Sequence, residues 1–152
     1  MDALMREKLE DGGSVKFSPR GTSMLPMLRS SGDSVTLVKP PARMKRGTVA
    51  LFLSEGEDGA RKYVLHRLVR IRKGRYVFLG DNRIKPDPDA ESGDVIGVVA
   101  DFRRRGRAFT GREFLWRLYS GWMVATRGVR RPALGLQHFV YGIWKKLKGK
   151  RQ

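Results

Sequence analysis

Between Ser34 and Phe102 the chain is cut into apolar runs too short for helices, and most are bounded by Gly or Pro. Ser34–Lys39 (SVTLVK) stops at Pro40-Pro41, and Thr48–Leu53 (TVALFL) starts after Arg46-Gly47. Lys62–Arg72 (KYVLHRLVRIR) turns through Lys73-Gly74 into Arg75–Leu79 (RYVFL), and Asp94–Phe102 (DVIGVVADF) is the last clear run. The loop 54–60, with its Glu, Asp and Gly residues, reads as a hairpin connection. Alternating runs of this length, closely spaced and joined by glycine turns, predict a compact, mostly antiparallel β domain. The strand–helix alternation of a parallel sheet is missing.

The flanks differ. Leu4, Met5 and Leu9 fall near helical spacing over residues 2–11, and Gly12-Gly13 ends that helix. Ser14–Ser18 alternates as a short strand leading into Arg20-Gly21-Thr22-Ser23-Met24-Leu25-Pro26, a turn in which proline blocks continuation as an ordinary helix. Beyond Arg103-Arg104-Arg105-Gly106 the period lengthens. Leu115, Leu118, Tyr119, Trp122 and Met123 form one helical stripe. Leu136, Phe139, Val140, Ile143, Trp144 and Leu147 form another, with Pro132 suited to its first turn. The expected organisation is a helix over 1–13, a β domain over 14–102 and a basic helical extension over 103–152, together one structural domain of mainly β, α+β class.

Charge and composition narrow the function classes. With no cysteine and only His66 and His138, the chain has neither thiolate chemistry nor the makings of a His-rich metal site. His138 reads as structural. Residues 103–152 carry fourteen Lys/Arg against one acid, Glu113, and so hold thirteen of the net +17 charges. Such a segment suits an anionic partner, either a membrane surface or nucleic acid. No run reaches the roughly 18 apolar residues of a spanning helix. The N-terminal MDALMREKLEDGG lacks the apolar stretch of a secretory signal. The expected location is therefore cytoplasmic or peripheral to a membrane.

Three features carry chemistry. Ser23 lies at a sharp change of chain direction, where a hydroxyl can be exposed and rigidly held, but serine attacks only when a neighbouring base takes its proton. His66, in Val64-Leu65-His66-Arg67-Leu68, is the one histidine in the β region, and imidazole is the side chain best suited to general-base work at neutral pH. The turn Gly80-Asp81-Asn82 and the following Pro86-Asp87-Pro88 supply carboxylates, Asp81 and Asp87, either of which can accept the second ring N–H of His66. Each has a plainer reading, as a turn serine, a strand histidine and solvated acids. Together they are the parts of a serine hydrolase.

In order, Gly21-Thr22-Ser23-Met24-Leu25-Pro26, Arg46-Gly47-Thr48-Val49-Ala50-Leu51-Phe52, Val64-Leu65-His66-Arg67-Leu68-Val69, Gly80-Asp81-Asn82 and Asp94-Val95-Ile96-Gly97-Val98-Val99 resemble the signal peptidase I superfamily over about residues 14–102. The resemblance is closest to the ER-type and SipW-like branch, which uses His as the base. It implies a signal-peptidase/LexA-like β fold, Ser23 as nucleophile, His66 as general base and Asp87 as the acid, with Asp81 at the other acidic position. It also implies cleavage of a peptide or leader sequence after small side chains, with no metal or cofactor. Two features depart from the family: no membrane anchor precedes the serine box, and Gly21 stands where many members carry a serine that assists the oxyanion hole. The main-chain N–H of Ser23 remains as an oxyanion donor. The alternative reading is a catalytically degenerate module whose basic segment binds a membrane or nucleic acid. Trp116, Trp122 and Trp144 beside Arg and Lys suit a bilayer interface, and no nucleic-acid-binding signature accompanies them.

Overall fold

The computed structural model describes residues 2–30, 32–56, 59–104, 107–110 and 114–126. Helix α1 (Asp2–Glu10) is followed by strands β1 (Val15–Phe17), β2 (Asp33–Val38), β3 (Val49–Glu55), β4 (Arg61–Arg72), β5 (Arg75–Leu79), β6 (Val95–Arg104) and β7 (Arg107–Thr110), then helix α2 (Phe114–Ala125). A single 3-10 turn, Ser92–Asp94, precedes β6. The seven strands form one sheet in the order β1-β2-β6-β3-β4-β5, with β7 on β6, and every pairing is antiparallel. The mainly β fold read from the short alternating runs is thus the fold observed.

One local difference stands out. The sheet continues past residue 102, because β6 runs on to Arg104 and β7 pairs back on it. Phe102 and Phe109 stack across that pairing at 4.9 Å, so apolar burial holds a hairpin despite its arginines. The first helical stripe of the C-terminal region forms α2; the second, with His138, lies outside the described residues. No helix among the described residues is long and apolar enough to cross a membrane.

Both faces of the sheet are covered. On one face, Leu9 of α1 and Met24, Met27 and Leu28 of the loop after β1 pack on Val35, Leu37, Leu51, Leu65 and Ile96. On the other, Met44 and Ala90 pack with Phe52, Leu68, Phe78 and Val98. Burying a side chain such as Leu9 or Phe52 stabilises the fold by about 1.5–3 kcal/mol. Because both faces are dry, residues 65–69 at the centre of β4 are buried in unbroken succession, instead of alternating between core and solvent. His66 and Arg67, neighbours in sequence, therefore point into opposite buried faces.

β5 is an edge strand, and the segment after it protects that edge. The chain reverses at Gly80-Asp81-Asn82, where the Arg83 N–H donates to the Gly80 carbonyl at 2.9 Å. It then runs back along β5: Asp87 N–H donates to Phe78 O at 3.0 Å, and Tyr76 and Ala90 exchange both backbone bonds at 2.8 Å.

Candidate active site

His66 is only 3% exposed and sits opposite Ala50 of β3, with the Phe52 ring 6.5 Å away and Phe52 stacked on Phe78 at 4.2 Å. A buried imidazole needs partners for its nitrogens. Nδ1 has one in Asp87, whose Oδ2 lies 2.5 Å away. The Pro86-Asp87-Pro88 context is what puts Asp87 there. The two prolines lack N–H groups and restrict the segment to extended backbone, and Asp87 spends its own N–H on the edge of β5. With Nδ1–H donating to a carboxylate, Nε2 is left as the ring's proton acceptor.

Nε2 faces the serine turn. At Gly80, a Cβ would stand 2.9 Å from His66 Nε2 and 2.7 Å from the Ser23 carbonyl oxygen, so the two groups flank one point and only glycine fits between them. The same turn clips the serine loop directly. Asn82 N–H donates to Ser23 O at 2.8 Å and Asn82 Nδ2 donates to Thr22 O at 3.3 Å. Underneath, Met24, Met27 and Leu28 are buried, and Leu28 N–H closes a helical turn onto Met24 O at 2.9 Å. Ser23 itself is half-buried. No hydrogen bond between its hydroxyl and His66 is formed among the described residues; closing such a contact commonly awaits substrate. Gly21 has φ +88°, in the left-handed region. That conformation favours glycine over any residue with a side chain.

Of the two candidate acids, Asp87 meets His66 and Asp81 does not. Asp81 is buried on the opposite face of β4, where it takes a bidentate ion pair from Arg67: Nε to Oδ1 at 2.8 Å and Nη2 to Oδ2 at 2.7 Å. Arg67 is 1% exposed and saturates its guanidinium with Gly47 O at 3.0 Å, Ser120 Oγ at 2.7 Å and Met27 Sδ at 2.8 Å. The Tyr119 ring lies 5.3 Å from the guanidinium carbon, and its hydroxyl donates to Asp81 Oδ2 at 3.2 Å. This network ties the Gly80-Asp81-Asn82 turn to β4 and to α2. Its signal in the sequence is an arginine inside the apolar run Leu65–Val69, where a charge is stable only with a buried partner.

A second ion pair holds the far side of the serine loop. Asp33 accepts from Arg104 Nη2 at 2.9 Å and from Arg29 N–H at 2.9 Å, while Arg104 Nη2 also donates to the carbonyls of Pro26 and Met27. Burial alone would raise the Asp33 carboxyl, but the hydrogen bonds from Arg104 and Arg29, with the charges of both, hold it below the usual carboxylate value.

Beside the His66–Asp87 pair a cleft of about 490 Å³ opens, lined by Ser54, Glu55, Gly56, Lys62, Val64, Arg83, Lys85 and the Pro86–Pro88 segment. Among the described residues, no group of three or more His, Asp or Glu side chains is placed to hold a metal ion. No protein-family model, curated protein or solved structure gives a significant match to the chain.

Proposed function

We propose that this chain is a serine endopeptidase of signal-peptidase type, acting on a peptide or leader sequence. The observation that carries the reading is the two-sided environment of His66. Its Nδ1 is held by the Asp87 carboxylate at 2.5 Å, and its Nε2 faces the point where Gly80 meets the Ser23 turn. In the proposed reaction Nε2 takes the Ser23 proton as Oγ attacks the scissile carbonyl. The imidazolium, stabilised by Asp87, passes that proton to the departing amine and leaves an acyl-enzyme. Water activated by the same Nε2 then releases the acyl group and restores the serine. The Ser23 N–H serves the oxyanion, and nothing in the cycle calls for a metal.

The test is cleavage of peptides carrying Ala-x-Ala sequences by the wild type, Ser23→Ala and His66→Ala. Loss of a nucleophile or base removes roughly 10⁴-fold or more of the rate in triad enzymes, so both variants are expected to fall to background, Ser23→Ala with wild-type melting behaviour and His66→Ala, which empties a buried position, with a lowered melting temperature. Cleavage that survives Ser23→Ala excludes the mechanism.

A further inference from the structure

We infer that the outer side of α2 is a docking surface for an anionic lipid bilayer, on which the helix lies flat. The inner side of α2 is occupied by the domain. Ser120 accepts from Arg67 at 2.7 Å, Tyr119 donates to Asp81 at 3.2 Å, and Met123 is buried. On the outer side, Leu118, Gly121, Trp122 and Ala125 follow one another at helical spacing, and all four are exposed. Leu118 is 52% and Trp122 55% exposed, although the Trp122 ring also leans on Tyr119 at 6.4 Å. A helix lying on a domain surface in water ordinarily turns polar residues outward, whereas this one carries no charge from Leu118 to Ala125. Its 12 residues are too few to cross a membrane, so a bilayer can take this face only from the side, with Trp122 at headgroup depth.

Charge decides which kind of surface fits. β4 and β5 pair so that Arg67 lies opposite Leu79, Arg70 opposite Val77 and Arg72 opposite Arg75. Cross-strand partners share a face, so Arg70 and Arg72 project from the same side of the sheet as Arg67, the side on which α2 lies. Arg75 is tied to Glu91 and to the Asp89 carbonyl, but no hydrogen bond or ion pair among the described residues engages Arg70, Arg72 or Lys73. Lys73 has φ 47°, a left-handed position that asparagine or glycine fills at less cost, and it puts an ammonium at the tip of the hairpin. Beside the helix, the exposed Lys45 and Arg46 lead into Gly47, where a Cβ would stand 3.5 Å from Ser120 Cβ. Cations beside an apolar helix face match phosphate headgroups beside acyl chains. A nucleic acid would use the cations and leave Leu118 and Trp122 in water.

The experiment is co-sedimentation of the full chain with vesicles of phosphatidylcholine alone or mixed equally with phosphatidylglycerol. The wild type is expected to pellet only with the anionic vesicles. Each cation near such a surface multiplies partitioning about fivefold, so Arg70→Gln/Arg72→Gln is expected to weaken binding about 25-fold. The control Lys8→Gln/Lys16→Gln removes the same charge from α1 and from β1, at the opposite edge of the sheet, and is expected to weaken it far less. Leu118→Ser/Trp122→Ser is expected to reduce binding roughly tenfold or more with an unchanged melting temperature. Equal pelleting with neutral vesicles, or equal loss in the two charge variants, overturns the docking face. So does binding that Leu118→Ser/Trp122→Ser leaves intact, and a lowered melting temperature in that variant would show that the chain itself covers the face. A DNA duplex bound with the same dependence on Arg70 and Arg72, but none on Leu118 and Trp122, also overturns it and assigns the cations to nucleic acid. Peptide cleavage in solution is scored separately, so the docking face and the peptidase reading stand or fall independently.

Discussion

Two aspartates, Asp81 and Asp87, compete on paper for one histidine, and their surroundings give them different work. Asp87 holds His66 Nδ1, whereas Asp81 neutralises Arg67 on the other face of β4. Asp87→Asn should therefore act on chemistry. An amide facing Nδ1 can donate its own N–H, which moves the ring proton to Nε2 and blocks base function. A loss of about 10³–10⁴ in kcat with little change in KM or melting temperature is expected. Asp81→Ala should act on stability. It strands a guanidinium that is 1% exposed, at a cost of about 3–5 kcal/mol read by denaturant unfolding. A variant pair with these effects exchanged would return Asp81 to the role of orienting acid.

The junction of elements at Gly80 sets how closely the parts can approach. Here β5 ends, the serine loop arrives from between β1 and β2, and His66 reaches over from β4. In Gly80→Ala the new methyl would stand 2.7 Å from a backbone oxygen that is itself hydrogen-bonded to Asn82, so the serine turn must move. Overpacking of this kind costs about 1–3 kcal/mol. Because the displaced groups are the turn of the proposed nucleophile and the proposed base, peptide cleavage should fall by more than tenfold while the chain still folds. Wild-type cleavage by a folded Gly80→Ala protein would separate Gly80 from the site. The strands themselves are legible in the sequence, since period-two runs ended by Gly and Pro mark where β2 to β6 lie. The pairing of Arg67 with Asp81 is not legible. Alternation assigns one of two neighbouring strand residues to solvent, and here a covered second face buries both. Nor can any local pattern show that Ser120, 53 residues away, would meet Arg67. The Asp87 contact was legible only as one of two options, because local sequence does not show which way a Pro-Asp-Pro segment folds back along the edge of β5.

For the whole molecule, charge is the dominant property, and Asp33 is where it bears on folding. A chain with 32 Lys/Arg and 15 Asp/Glu gains positive charge on acidification, so each anchoring carboxylate that is lost adds to self-repulsion. Asp33 is 4% exposed and its carboxyl is held below the ordinary value of 3.8. A lowered native pKa means that the unfolded chain takes up the proton first. The stabilisation is complete above that ordinary value and drains away as pH falls through the native one. Its loss loosens Arg104, and with it the carbonyls of Pro26 and Met27 at the end of the serine turn. Asp33→Asn should therefore melt below the wild type at neutral pH. The gap should narrow as pH drops below about 4, where the wild-type carboxyl is itself neutralised. Melting curves of both proteins by circular dichroism across that range provide the check. A gap that stays constant with pH would mean that the Asp33–Arg104 pair does not anchor the loop through its charge.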